Sequence, residues 1–135
     1  DNLFESLGIE KRTLYKGKFD YMVELDNQKM VVNLKPDFKK LSQISSRGIL
    51  VTAKGDDADI VSRCFFPQSG IDEDPVTGSA HCLLVPFWSS KTGKTNFKSI
   101  QWSQRKGWLE CVLKNDRVLM SGHAVLFLKG EIYLS

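Results

Sequence analysis

Hydrophobic and polar positions along this chain alternate between strand-like and helix-like spacing, and each change of period marks an element. The clearest two-residue alternation lies in Asp59–Phe66, where Ile60, Ser62, Cys64 and Phe66 fall on one face and Val61, Arg63 and Phe65 on the other. Gly48–Ala53 reads as its partner strand across the polar turn Lys54-Gly55-Asp56-Asp57. Tyr21–Leu25 and Met30–Leu34 flank the turn-rich Asp26-Asn27-Gln28 and predict a hairpin. Beyond Phe97, strands are expected at Ser99–Ser103, Gly107–Leu113 and Arg117–Leu128, with a turn at Lys114-Asn115-Asp116 and a bend or bulge at Gly122.

Helical spacing is rarer. Asn2–Leu7 predicts a short helix stopped by Gly8, and Asp37–Ile44 another, opened by Pro36. The strongest signal follows Thr77, a candidate cap: Ala80, Leu83, Leu84, Phe87 and Trp88 recur at i, i+3, i+4, i+7 and i+8. With Val85 added, the stripe is broad enough that this helix is expected to be the most enclosed element. Pro86 inside it removes a hydrogen bond to the Cys82 carbonyl, typically costing ~3 kcal/mol, and a kink is expected there. Strands before and after one apolar helix predict a sheet wrapped around a central helix. Without an internal repeat or linker, residues 1–135 read as a single domain.

Composition narrows the function classes. Hydrophobic residues make up 41% of the 135 and charged residues 26%, ordinary values for a soluble globular domain. No apolar run approaches the ~18–20 residues that span a bilayer, so no membrane association is expected. The net charge of +3 is dispersed in short basic clusters rather than concentrated in a stripe, which argues against nucleic-acid binding. Cys64, Cys82 and Cys111 are too widely spaced for a disulfide framework or a CxxC metal site, and read as reduced cysteines of a cytoplasmic protein. The chain begins with Asp1 rather than Met, which sets the expectation that it is a piece of something longer.

One segment differs from all others. A strand ends at Pro67, three acids (Asp72, Glu73, Asp74) meet Pro75, and Thr77-Gly78-Ser79 opens the apolar helix. Helix N-terminal amides lack intrahelical partners and carry the positive dipole end, so this position suits a carboxylate or phosphate, and Gly78 permits close approach. A neighbouring loop acid is placed to exchange protons with whatever is held there. The same residue types are also ordinary helix caps, and spacing alone leaves both readings open.

Gly70-Ile71-Asp72-Glu73-Asp74-Pro75-Val76-Thr77-Gly78-Ser79-Ala80-His81 resembles the signature G-I-x-E-D-P-x-T-G-S-A-H of PhzF-like phenazine-biosynthesis proteins, relatives of the diaminopimelate epimerases. Ser62-Arg63-Cys64-Phe65-Phe66-Pro67 is similar to the family's S-R-x-F-x-P strand, and Gln101–Gly107 to its Q-x-S-x-R-G-G, with Lys106 in place of the first glycine. Asp116-Arg117-Val118 and Gly122-His123-Ala124-Val125 follow in the expected order.

The resemblance implies a fold, a site and an activity. The fold is α+β, a curled, mostly antiparallel sheet around one central helix, forming the carboxyl-terminal lobe of a two-lobed protein with its active site between the lobes. The site would comprise Asp74 as the catalytic group with Gly78 and Ser79 at the helix start, to which Thr77 and His81 are added as candidate substrate contacts. His81 and His123 also have structural readings as packed, hydrogen-bonded residues, and Arg105 reads as an ion-pair partner. The activity would be an isomerisation of a small carboxylated substrate by proton transfer, without metal or organic cofactor. The family's principal glutamate lies on a first lobe absent from these residues. In the related epimerases the second-half cysteine corresponds to the position of Asp74, so the three cysteines are not implicated. The expected partners are the missing amino-terminal lobe and, for the chain alone, a second copy in a homodimer. A non-catalytic binding module with the same fold is the rival expectation.

Overall fold

The computed structural model describes residues 2–134. Seven strands form one sheet in sequence order: β1 (Leu14–Lys16), β2 (Asp20–Glu24), β3 (Gly48–Lys54), β4 (Ile60–Phe65), β5 (Asn96–Gln101), β6 (Gly107–Lys114) and β7 (Arg117–Ser121). Four helices accompany it: α1 (Asn2–Leu7), α2 (Gln28–Asn33), α3 (Phe38–Leu41) and α4 (Gly78–Thr92). Neighbours pair antiparallel except β2–β3 and β4–β5, so the α+β, mostly antiparallel expectation holds.

The two parallel pairs explain where the helices sit. Parallel neighbours need a long crossover, supplied here by α2 and α3 between β2 and β3, and by α4 between β4 and β5. Both crossovers step the same way across the sheet, but β3 and β4 run in opposite directions. Crossovers of one hand therefore put their helices on opposite faces. The side chains agree. Val23, Ile49, Val51, Ala53, Val61 and Phe65 pack with α1, α2 and α3 on one face. On the other, Met22, Leu50 and Cys64 pack under Ala80 and Leu84, while Ile60, Phe97 and Cys111 pack under Val85 and Trp88.

The structure departs from the sequence reading in several places. Met30–Leu34 is not the second arm of a hairpin but largely α2, because Asn27 caps it by accepting the Met30 N–H at 3.0 Å. The partners of β2 are instead β1 and β3. The helix after Pro36 is shorter than expected, with Asp37 accepting the Lys40 N–H as its cap. The final strand stops at Ser121, and His123 lies outside any strand. Finally, α4 is continuous through Pro86, with Cys82 and Pro86 on its exposed side, where water can solvate the carbonyl that proline leaves unpaired. The most enclosed element is not α4 but β3, buried at every residue except Lys54, since both faces of the sheet are covered there.

The α4 face is pinned by one buried polar relay. The Trp88 indole N–H donates to the Thr52 hydroxyl at 3.0 Å, which donates to the Val61 carbonyl at 2.9 Å. Thr52→Val should cost about 1–3 kcal/mol by stranding the indole N–H. The same change in a Trp88→Phe background should cost at least ~1 kcal/mol less, a coupling read from urea midpoints of the four proteins.

Candidate active site

The acidic loop hangs from the end of β4. Phe66 and Ile71 exchange backbone hydrogen bonds of 3.1 and 3.3 Å, closing a turn in which Gly70 takes φ +77°. The Asp74 N–H then donates to the Cys64 carbonyl at 3.0 Å, returning the chain to the strand it left. Arg63 secures the loop from the α2 side. Its guanidinium forms a two-pronged pair with Glu73 (2.7 and 2.9 Å) and donates to the Leu34 carbonyl at 2.7 Å. Both charged side chains are largely buried, at 12% and 18% exposure. Glu73 is thereby committed to structure, while Asp74 is half-buried on the α4 side of the loop.

A second set of bonds comes from the end of β5. The buried Gln101 amide accepts the Thr77 N–H at 2.7 Å and donates to the Asp74 carbonyl at 2.7 Å and the Thr77 hydroxyl at 3.0 Å. The Ser103 hydroxyl donates to the Pro75 carbonyl at 2.9 Å. Thr77 in turn gives its hydroxyl hydrogen to the Asp74 Oδ2 atom. The consequence lies at α4, whose N-cap residue Thr77 makes no side-chain bond to the helix amides. Among the described residues, nothing accepts the N–H groups of Gly78 and Ser79, and both residues are exposed. An uncapped positive helix end therefore sits beside a half-buried carboxylate whose other oxygen, Oδ1, takes no hydrogen bond among the described residues.

Arg47 completes this end of the molecule. It forms a two-pronged pair with the buried Asp20, with Nε–Oδ1 at 2.8 Å, and brings Nη2 within 3.3 Å of the Ser79 hydroxyl. The arrangement is convergent because β4 and β5 end here, while the oppositely directed β2 and β3 begin here.

Of the expected site residues, Asp74, Gly78, Ser79 and Thr77 are brought together, but with different roles. Thr77 is buried and orients Asp74 rather than meeting solvent. His81 is not open to a substrate at all. It is fully buried, with Nδ1 2.9 Å from the Thr77 carbonyl and Nε2 2.9 Å from the Ser99 hydroxyl. Burial lowers its pKa from the usual 6.5, against the raising effect of the Thr77 carbonyl. Arg105 is exposed and makes no ion pair among the described residues.

Burial pushes the Cys64 thiol well above its ordinary range and that of Cys111 up to about 11, so neither supplies a thiolate near neutral pH. No cluster of three or more His, Cys, Asp or Glu residues suited to a metal ion occurs among the described residues, and no helix is long and apolar enough to cross a membrane. Gly78 and Ser79 lie on an open face, with Asp74 half-buried beside them.

The turn after β5 shows what the lysine at the usual glycine position does. Lys106 has φ +60°, a left-handed conformation natural to glycine, and its Nζ sits 4.0 Å from the centre of the Trp102 ring. Next to it, a Cβ at Gly107 would collide with Val76 of the loop, so this glycine is required by close approach. Lys106→Gly should be about 1 kcal/mol more stable than Lys106→Ala in urea unfolding, since both lose the ring contact but only alanine keeps the backbone penalty.

His81 should make stability depend on pH. The unfolded chain gains its proton as pH falls below 6.5 while the folded chain resists, so stability is full above that value and declines below it. Replacing His81 by Gln should reduce the fall of the urea midpoint as pH drops below 6.5.

The sequence matches the phenazine biosynthesis-like protein family over residues 6–130. It is 44% identical over 136 residues to an uncharacterized isomerase of Halalkalibacterium halodurans, and 44% identical over 134 residues to one of Pseudomonas aeruginosa. Each alignment covers 99% of this chain but 51% of the relative, so the chain spans about half the length of the curated proteins it matches. A crystal structure of a PhzF-family phenazine biosynthesis protein from Enterococcus faecalis superposes with a TM-score of 0.88 at 41% identity, over 98% of this chain and 51% of that one. The chain that carries this open carboxylate-and-helix site belongs to the phenazine biosynthesis-like protein family.

Proposed function

We propose that this chain is the carboxyl-terminal lobe of a two-lobed isomerase that shifts a proton on a small carboxylated substrate, without a cofactor. The observation that carries the reading is the turned hydroxyl of Thr77, which orients Asp74 and leaves the Gly78 and Ser79 amides uncapped beside it. The two N–H groups would donate to the substrate carboxylate, with the Arg47 guanidinium, held by Asp20, close by at Ser79. Asp74 would then exchange a proton through its unengaged Oδ1, its other oxygen being fixed by Thr77.

An isomerisation that moves a proton between two positions is served by a second acid or base. Within this chain Glu73 is paired with Arg63, His81 is enclosed and Cys64 is buried as a thiol, while Asp72 is exposed on the outer side of the loop's acidic run. The resemblance assigns that role to a glutamate of the other lobe, so the isolated chain is expected to be inactive. Its open site supports the same conclusion.

The test joins this chain to the half of the Halalkalibacterium halodurans relative that it does not cover. Deuterium uptake from heavy water would be followed by NMR across small cyclic and acyclic amino acids and hydroxy acids. The joined protein should label at least one, the isolated chain none, and Asp74→Asn should slow labelling by ~100-fold or more. Labelling by the isolated chain, or undiminished labelling by the variant, would refute the assignment. Binding without labelling would favour the rival reading of a non-catalytic module.

A further inference from the structure

Burying a primary amide is costly unless its donors and its acceptor are all met, so a fully enclosed glutamine needs a partner for each. Gln101 is such a residue, 0% exposed at the last position of β5. Its backbone is locked into the sheet, opposite Ser62 of β4 and Gly107 of β6. Its amide is locked as well. Oε1 takes the Thr77 N–H at 2.7 Å, a group that can only donate. Nε2 gives to the Asp74 carbonyl at 2.7 Å, a group that can only accept. Turning the amide over would set oxygen against oxygen and hydrogen against hydrogen, which leaves it one orientation.

That orientation reaches one bond further. Nε2 also donates to the Thr77 hydroxyl, 3.0 Å away, which makes the hydroxyl oxygen an acceptor. A hydroxyl owns a single hydrogen, and this one is then given elsewhere. The Oδ2 atom of Asp74 receives it. An amide on a central strand thus sets the direction of a chain of two hydrogen bonds that ends on the candidate proton-exchanging group.

We infer that Gln101 is a positioning residue for the proton transfer, acting through Thr77 to hold the Asp74 carboxylate in its working orientation. The inference rests on the reading of Asp74 as the group that exchanges the proton, and adds to it the residue that aims that group. A tie that merely held the loop would need only the bonds to the Thr77 N–H and the Asp74 carbonyl. The third bond, to the hydroxyl, adds nothing to the loop's backbone and carries the orientation.

The test is a cycle of native protein, Gln101→Glu, Thr77→Val and the double variant. Each is joined to the uncovered half of the Halalkalibacterium halodurans relative and followed by the same deuterium uptake. The carboxyl introduced by Gln101→Glu keeps the shape of the amide and an acceptor for the Thr77 N–H. Ionised it has no hydrogen to donate and protonated only one, so both donated bonds cannot survive. Gln101→Glu and Thr77→Val should each slow labelling by roughly 10-fold or more. The double variant should be no slower than Thr77→Val, because the hydroxyl through which Gln101 acts is already gone. Thr77→Ser, which keeps a hydroxyl, should recover most of the loss. In the isolated chain, Thr77→Val should move one Gln101 side-chain amide hydrogen upfield in the proton–nitrogen NMR spectrum and leave the other, held by the Asp74 carbonyl, in place. This last measurement decides the matter alone if Gln101→Glu does not fold. Losses that multiply in the double variant, native labelling by Gln101→Glu, or amide hydrogens indifferent to Thr77→Val overturn the positioning role and leave Asp74 as the proton-exchanging group. No labelling by the native joined protein overturns both.

Discussion

The antiparallel pairing of β3 and β4 is the constraint on which the architecture depends. Each of these strands has a parallel neighbour on its other side, and each parallel pair needs a crossover. Had β3 and β4 been parallel, crossovers of one hand would have stacked every helix on one face and left the other bare. The reversal instead covers both faces and makes β3 and β4 the buried centre of the molecule. It also sets the starts of β2 and β3 beside the ends of β4 and β5. Arg47 and Asp20 thereby arrive next to Thr77, Gln101 and the first turn of α4, although the sequence separates them widely.

At that end the chemistry turns on how few hydrogens are on offer. A threonine before a helix ordinarily uses its side-chain oxygen to cap the amides. Here the hydroxyl hydrogen goes to Asp74, and the oxygen accepts from Gln101. The helix end is left open, and the carboxylate is held in one orientation. A polar cluster that satisfies its own members while leaving adjacent donors unmet is costly for folding and useful for binding. It belongs to the class of local conflicts expected at functional sites.

The parts legible in the sequence were those in which local pattern and tertiary need agreed. The alternation of Ile60–Phe65 and the helical stripe from Ala80 to Trp88 both face real cores, and Gly8 and Asn115 do adopt left-handed turns. Met30–Asn33 misled because Val31 and Val32 favour strands, yet one Asn27 cap and a buried Val31 suffice to make a helix there. The acidic signature located the candidate site, but not the hydrogen bonds inside it. That Glu73 belongs to Arg63, that His81 spans Thr77 and Ser99, and that Gln101 organises the loop are long-range facts. The spacing of Gln101 and Ser103, two residues apart and so on one side of an extended chain, was the available hint. The enclosure of α4 was overestimated because its stripe says what it buries and not what covers its back.

Arg63 crosses between compartments that would otherwise be independent. One end of its guanidinium grips Glu73 in the site loop and the other reaches the last carbonyls of α2, on the far face of the sheet. Withdrawal of the loop would leave the largely buried Arg63 charge unmatched, and withdrawal of α2 would leave its Nη1 hydrogens without acceptors, so the two elements are coupled through one side chain. The acidic loop is therefore braced from behind, by a helix on the face of the sheet away from the candidate site.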